Sequence, residues 1–227
     1  MIFKFQIPNS KSQLNPKSQV GFKFHPPKFS SLVIVQLILI CGLVLGACNL
    51  TYAKEVTILY TGETHAMLYH CDCPKEPDGG IARRAALIKQ IRRNNPATLV
   101  LDSGGFFAGG LLDEHTQNTE LDKERTRVNL KAMGLMGYAA AAIGDDEFNF
   151  GRQFLEDNIA NSNISFVSCN TSLPTGKSSR ISPYVLKEVA GVKFGIIGLT
   201  SLSAAQKSGG LKFIEPKVAL GDRKSVV

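Results

Sequence analysis

Three short apolar runs, each breaking into a polar loop and each followed by an amphipathic stretch, constrain this chain more than any other feature. Val56-Thr-Ile-Leu-Tyr60 enters Gly62-Glu-Thr-His65, Thr98-Leu-Val-Leu101 enters Asp102-Ser-Gly-Gly105, and residues 139–143 enter Gly144-Asp-Asp-Glu147. Runs of four or five apolar residues have strand length, whereas helical spacing over a dozen residues marks the crossovers. The first crossover helix is expected over 81–93, with Ile81, Ala85, Leu87, Ile88 and Ile91 near one face and Asn94-Asn-Pro96 ending it. A second is expected over 120–136, stopped at Gly137, and a third over 152–160, before a strand at 164–168. Residues 184–190 and 192–199, on either side of Gly191, read as an antiparallel hairpin. Strand–helix alternation of this kind implies an α/β layered fold whose polar loops gather at the strand carboxyl ends.

A formal charge of +7 would suggest nucleic acid if it sat on that fold. It belongs mostly to residues 1–53, which carry Lys4, Lys11, Lys17, Lys23 and Lys28 and no acid, leaving 21 basic against 19 acidic residues beyond them. No nucleic-acid partner is expected. Residues 1–53 have the layout of an export signal, a basic polar stretch followed by the apolar run 32–47. That run is short against the roughly 20 residues of a spanning helix. Two cleavages are open. Thr51-Tyr-Ala53 puts small residues where a signal peptidase reads, cutting before Lys54, while Leu45-Gly-Ala-Cys48 is similar to a bacterial lipobox in which Cys48 is lipidated. Retention as a membrane anchor is the alternative. Export implies the bacterial periplasm, an outer-membrane lipoprotein or secretion, with membrane contact only through a lipid anchor or the leader. At the other end, residues 222–227 match the in-frame translation of a widely used sequencing adapter and are expected to be a non-native tail.

The strand-end loops concentrate the chemistry: Glu63 and His65, Asp102 and Gly105, then Asp145, Asp146 and Glu147. Divalent metals want carboxylate and imidazole ligands converging from rigid positions. The same residues also occur at strand ends without a metal, and Glu147 is placed to cap the following helix. Gly104-Gly-Phe-Phe-Ala-Gly-Gly110 reads as a flexible loop beside a site, or as an anion cradle of backbone amides, although no P-loop Lys and Ser/Thr follow. Arg83 and Arg84 face solvent, a structural partner or a substrate phosphate. His65, His70, Cys71 and Cys73 lie within nine positions, a softer ligand set that suits zinc. In an oxidising compartment the same cysteines, with Cys169, could instead tie an insertion loop by a disulfide.

Together these segments resemble the 5′-nucleotidase branch of the metallophosphoesterases, in the calcineurin-like phosphoesterase superfamily. Thr61-Gly-Glu-Thr-His65 is similar to the family's Thr-Asn-Asp-x-His, Gly79-Gly-Ile-Ala-Arg-Arg84 to Gly-Gly-Leu-Ala-Arg, and Leu101-Asp-Ser-Gly-Gly105 to Leu-Asp-Ala-Gly-Asp. Gly144-Asp-Asp-Glu-Phe-Asn-Phe-Gly151 is similar to Gly-Asn-His-Glu-Phe-Asp-Phe-Gly, and residues 184–199 resemble its hairpin. The resemblance spans residues 56–200 and implies an αββα metallophosphoesterase sandwich, of which this chain is the amino-terminal half. It also implies two divalent ions, such as zinc or manganese, about 3.5–4 Å apart. The implied substrate is a small phosphorylated one such as a nucleotide.

Carried over by position, His65 matches a metal-ligand histidine, Glu63 stands at an aspartate one methylene shorter, and Asp145 stands at a metal-binding asparagine. Gly105 stands at the aspartate that bridges both metals and offers no side-chain ligand. Asp146 stands at the catalytic histidine, where a carboxylate has the wrong charge for a phosphate. The family's carboxyl-terminal half brings further histidines in Gly-His and Gly-His-x-His segments, and none follows His115 here. The expected function is therefore hydrolysis of phosphate esters or nucleotides by an altered metal site, with these 227 residues inactive alone. The alternatives are a catalytically inactive binding module of the same fold, and a Cys/His metal or thiol-redox protein centred on Cys71 and Cys73.

Overall fold

The structure, a computed structural model, describes residues 2–5, 55–70, 79–113, 116, 118–160, 162–172 and 180–223. The three apolar runs that enter polar loops become β2 (Val56–Thr61), β3 (Thr98–Asp102) and β4 (Ala140–Ala142). β5 (Ser165–Val167) and β7 (Ile181–Ser182) follow, β6 (Thr171–Ser172) lying between them in sequence. The main sheet has the order β1 (Ile2–Phe5), β2, β3, β4, β5, β7, and β2, β3, β4, β5 and β7 are successive parallel neighbours. Parallel neighbours need long crossovers. The chain supplies them as α1 (Ile81–Asn94), α2 (Thr119–Met136) and α3 (Gly151–Ile159). α2 is bounded as its sequence dictates. The Asn118 side chain accepts the Leu121 N–H at 3.0 Å, Glu120 and Asp122 occupy the first turn, and Gly137 closes the helix at φ 70°.

β1 (Ile2–Phe5) runs antiparallel along β2, with Ile2 opposite Leu59 and Phe5 opposite Val56. These four residues fall within the stretch expected to be a leader; cleavage before Lys54 would leave β2 as the sheet edge. Residues 6–54, with Cys48 and both cleavage positions, lie outside the described residues, as do Cys71, Cys73 and residues 224–227. Among the described residues no helix is long and apolar enough to cross a membrane.

One face of the sheet is fully buried. Leu59, Val100, Ala141 and Phe166, from four successive strands, meet Ile88 of α1, Leu130 and Met133 of α2, and Leu155 and Ile159 of α3. Leu87 departs from the expected apolar face of α1 and is 53% exposed, because a residue adjacent to the buried Ile88 points about 100° away around the helix. The hairpin forms as expected from β8 (Tyr184–Val189) and β9 (Val192–Ile197), and its turn residues Ala190 and Gly191 both have positive φ, 52° and 73°. Two positive-φ residues twist in the sense of the strands they join. The second face of the sheet is less covered: Tyr60, Leu101, Ala142 and Val167 line a cavity of about 340 Å³ with Ile196, Ile197 and Leu199. Beyond the hairpin come α4 (Ala204–Lys207), β10 (Lys212–Phe213), which pairs with β6, and α5 (Pro216–Arg223).

A charged cluster is built into the interior beside α2. Arg125 donates to Asp122 at 2.8 Å, to both Asp113 oxygens at 3.0 and 3.1 Å, and to the His65 carbonyl at 2.9 Å. All three charged residues are buried. Arg125→Met is expected to lower unfolding stability by about 3–5 kcal/mol in urea titrations, because it takes the guanidinium from two buried carboxylates. A loss below about 1 kcal/mol would show the cluster to be no stronger than a surface ion pair.

Candidate metal centre

Because β2, β3 and β4 are parallel, their carboxyl ends open on one edge of the sheet, where Gly62–His65, Ser103–Gly110 and Gly144–Asp146 meet. The β2 loop continues alongside the β3 loop: Glu63 N–H bonds Gly104 O at 2.9 Å and His65 N–H bonds Gly105 O at 2.8 Å. Reaching both acceptors turns Glu63, His65 and Ala66 into the left-handed region at φ 50°, 45° and 48°. Non-glycine residues visit that region at a cost, and it concentrates at functional sites. Arg125 offsets part of the cost by holding the His65 carbonyl.

The glycine-rich loop after β3 is neither a flexible flank nor a ligand cradle. Phe106, Phe107 and Ala108 are completely buried, and six consecutive amides are taken by side chains. Gly104 N–H bonds Asp102 at 2.9 Å, while Gly105, Phe106 and Phe107 bond Glu147 at 3.3, 2.8 and 3.3 Å. Ala108 bonds the Thr126 hydroxyl at 3.1 Å and Gly109 bonds Asp113 at 2.8 Å. Glu147 also accepts from Gly144 N–H at 2.6 Å. It does not cap α3; it clamps the β3 loop to the β4 loop. The clamp needs the two loops close together, and a side chain on Gly104 would start 3.1 Å from Gly144 N.

On this frame Glu63, His65 and Asp146 bring one ligand atom each within 4.8 Å of one another. Glu63 Oε2 lies 3.6 Å from His65 Nε2, and Asp146 Oδ2 lies 3.3 Å from His65 Nδ1. The latter pair is close enough for charge attraction but not aligned as a hydrogen bond, so buried Nδ1 has no hydrogen-bond partner among the described residues. An imidazole with a carboxylate near each nitrogen, and with Nδ1 making no hydrogen bond, fits a divalent ion, which takes these donor types. Glu63 also accounts for Gly105. A Cβ built on Gly105 would sit 2.7 Å from the Glu63 carboxylate, so the longer acid fills the space that a side chain at 105 would use.

The other expected residues are placed differently. Asp145 is outside the triad, with Oδ2 3.3 Å from Lys207 Nζ. His70 pairs with Gly79 in an isolated bridge and takes no part in the triad. Arg84 donates to Asn129 at 2.6 Å, with its guanidinium 6.0 Å from the Tyr138 ring centre, a structural role. Arg83 and Arg84 line a cavity of about 550 Å³ beside Glu63. Lys207 and Arg125 carry no motif in the sequence; each reaches the site from about 60 positions away. Burial alone would lower the Lys207 ammonium, but the hydrogen bonds and charges of Asp146 and Asp145 outweigh it and hold the group above the ordinary lysine range.

No family model matches the chain. A 5′-nucleotidase of Bos taurus is 32% identical over 173 residues, covering 70% of this chain and 29% of its own length. The trifunctional nucleotide phosphoesterase protein YfkN of Bacillus subtilis is 29% identical over 180 residues, 76% of this chain and 12% of that one. Among solved structures, the 5′-nucleotidase precursor from Thermus thermophilus aligns with a TM-score of 0.64 and 28% identity, covering 75% of this chain and 34% of the other. The match falls on the amino-terminal metallophosphoesterase domain. The chain thus spans about a third or less of the length of these relatives.

Burial pushes the Glu147 carboxyl up to about 7, against the pull of the Gly144 and Phe106 amides, and pushes Asp102 up to about 6, against the Thr61 hydroxyl. Both groups hold a proton more tightly folded than unfolded, so their contribution to stability is complete below about pH 4 and lost as pH rises through about 6 to 7. The metal-free chain is expected to lose stability across that window in urea titrations, and Glu147→Gln to flatten its upper part. An unchanged slope in Glu147→Gln would assign the pH dependence to other groups.

Proposed function

Because this chain belongs to the calcineurin-like phosphoesterases, on their 5′-nucleotidase branch, we propose that it is the metal-holding amino-terminal part of an exported hydrolase of phosphate esters, nucleotides among them. The observation that carries the proposal is the convergence of Glu63, His65 and Asp146 within 4.8 Å at the strand ends, with Glu63 occupying the space of the absent side chain at 105. A divalent ion at this position would supply Lewis-acid charge for a phosphoryl oxygen and make water more acidic. Glu63, His65 and Asp146 would hold the ion, the Asp146 carboxylate lying 3.3 Å from His65 Nδ1. Arg125 holds the backbone of the same loop. The partly open sheet face at Tyr60 and Leu101 is suited to a second layer, which in this reading brings the remaining ligands from outside these 227 residues. The export reading is supported by the apolar run 32–47 and by Cys48 and Ala53.

In the 227-residue chain, His65→Ala is expected to abolish manganese or zinc binding in calorimetric titrations, and no turnover of a nucleoside monophosphate is expected. In the whole protein, phosphate release from such a substrate should depend on the metal and disappear in His65→Ala. Metal binding without turnover in the whole protein would make it a binding module of the same fold. Wild-type chain that binds no metal would remove the hydrolase reading.

The exchange between positions 63 and 105 is open to a separate test. Gly105→Asp alone forces a second carboxylate into the space held by Glu63, at a backbone φ of 72°. It is expected to lower both thermal stability and metal affinity. Glu63→Asp with Gly105→Asp, which restores the usual lengths, is expected to recover metal affinity relative to Gly105→Asp. Additive losses in the double variant would show that the two positions are not exchanging one carboxylate for another.

A further inference from the structure

Lys207 ends a four-residue helix, yet the segment that carries it is firmly placed. Asn170 pins both of its ends. The Asn170 amide accepts the Thr200 N–H at 2.8 Å and donates to Thr200 O at 2.8 Å and Ile214 O at 3.2 Å. Its own carbonyl accepts the Ile214 N–H at 2.7 Å. The Thr200 hydroxyl reaches Ile143 O at 2.7 Å, tying the start of the segment to the end of β4. Between these anchors Ala204, Ser208 and Leu211 are buried, so the helix is fixed on both sides of Lys207.

The ammonium that results is surrounded by oxygens. Lys207 Nζ lies 3.0 Å from Asn149 Oδ1, 3.2 Å from Asp146 Oδ1 and 3.3 Å from Asp145 Oδ2. Asp146 shares itself between two partners: Oδ1 faces Lys207 and Oδ2 faces His65 Nδ1. The carboxylate therefore bridges the candidate metal ligands to an ammonium, as a carboxylate bridges two cations. Charge counting agrees. Glu63, Asp145 and Asp146 with Lys207 sum to two negative formal charges, which one divalent ion balances and a second would overturn. Residues 145, 146 and 149 also carry the oxygens that a second ion on this side would need, and the ammonium already holds all three.

We propose that Lys207 takes the place of a second cation, so that this site accepts a single divalent metal ion, on Glu63, His65 and Asp146. The proposal rests on the reading that those three residues hold a metal. It gives Asp146 a counter-charge that needs no loading, and so removes part of the repulsion that a carboxylate at this position would exert on a phosphate.

Manganese titration of the metal-free 227-residue chain by calorimetry, with metal content measured after dialysis, tests the inference. One equivalent is expected in the wild type and in Lys207→Arg, and two in Lys207→Met. Lys207→Gln provides a second neutral variant with the same expectation should Lys207→Met fail to fold. Two equivalents in the wild type, or one in the wild type and in a folded neutral variant alike, would overturn it. The last result would leave the metal-site reading intact and reduce Lys207 to a fastening of α4, visible only as a lower Tm. No metal in the wild type would overturn that reading and this inference together.

Discussion

The architecture of this site depends on a carboxylate that is shut away from solvent. Glu147 is completely buried and accepts four backbone amides, three from the loop after β3 and one from the loop after β4. Desolvating a carboxylate is expensive, and backbone amides compensate only when they converge with good geometry. That requirement fixes the path of residues 104–107. The path of the β2 loop follows from it, since Glu63 and His65 hydrogen-bond to the Gly104 and Gly105 carbonyls. Three loops are thereby locked by one side chain, with Asp102 bonding Thr61 and Gly104 as a secondary tie between β2 and the same loop.

Rigidity of this kind explains how the left-handed residues survive. Glu63, His65 and Ala66 cannot relax without giving up the bonds to the β3 loop, and the Arg125 guanidinium holds the His65 carbonyl from the helix side. The buried cluster of Arg125, Asp113 and Asp122 is thus a positioning device as well as a fold contact. It joins α2 to the loop after β3 and to the histidine loop in a single set of hydrogen bonds.

Much of this was legible in the sequence. The runs at Val56, Thr98 and residues 139–143 became parallel strands, the hairpin formed around Gly191, and His65 and Glu63 came together, with Asp146 in the place expected of Asp145. What failed to show had a physical reason. Glu147 looked like a helix cap because local spacing cannot reveal that three of its four amide donors come from about 40 residues earlier. Gly104–Gly110 looked flexible because glycine content signals backbone freedom, whereas here each of the six amides from Gly104 to Gly109 is held by a side chain. Leu87 matched the helical period but faces outward. Lys207 had no local pattern at all; only the folding of residues 200–214 onto Asn170 brings it to Asp145 and Asp146.

The departures from the family pattern look like losses when taken one position at a time, and the structure pairs them instead. Gly105 lacks a carboxylate, and Glu63 extends one into the same space. Asp146 adds a negative charge, and Lys207 meets it. In each pair the second residue removes the physical difficulty that the first creates, a void in one case and an uncompensated charge in the other. A site decaying without constraint would leave such difficulties unrelieved, because most substitutions destabilise and nothing would select their partners. Complementary size at 63 and 105, together with complementary charge at 146 and 207, supports the proposal of a site reorganised around a different set of cations.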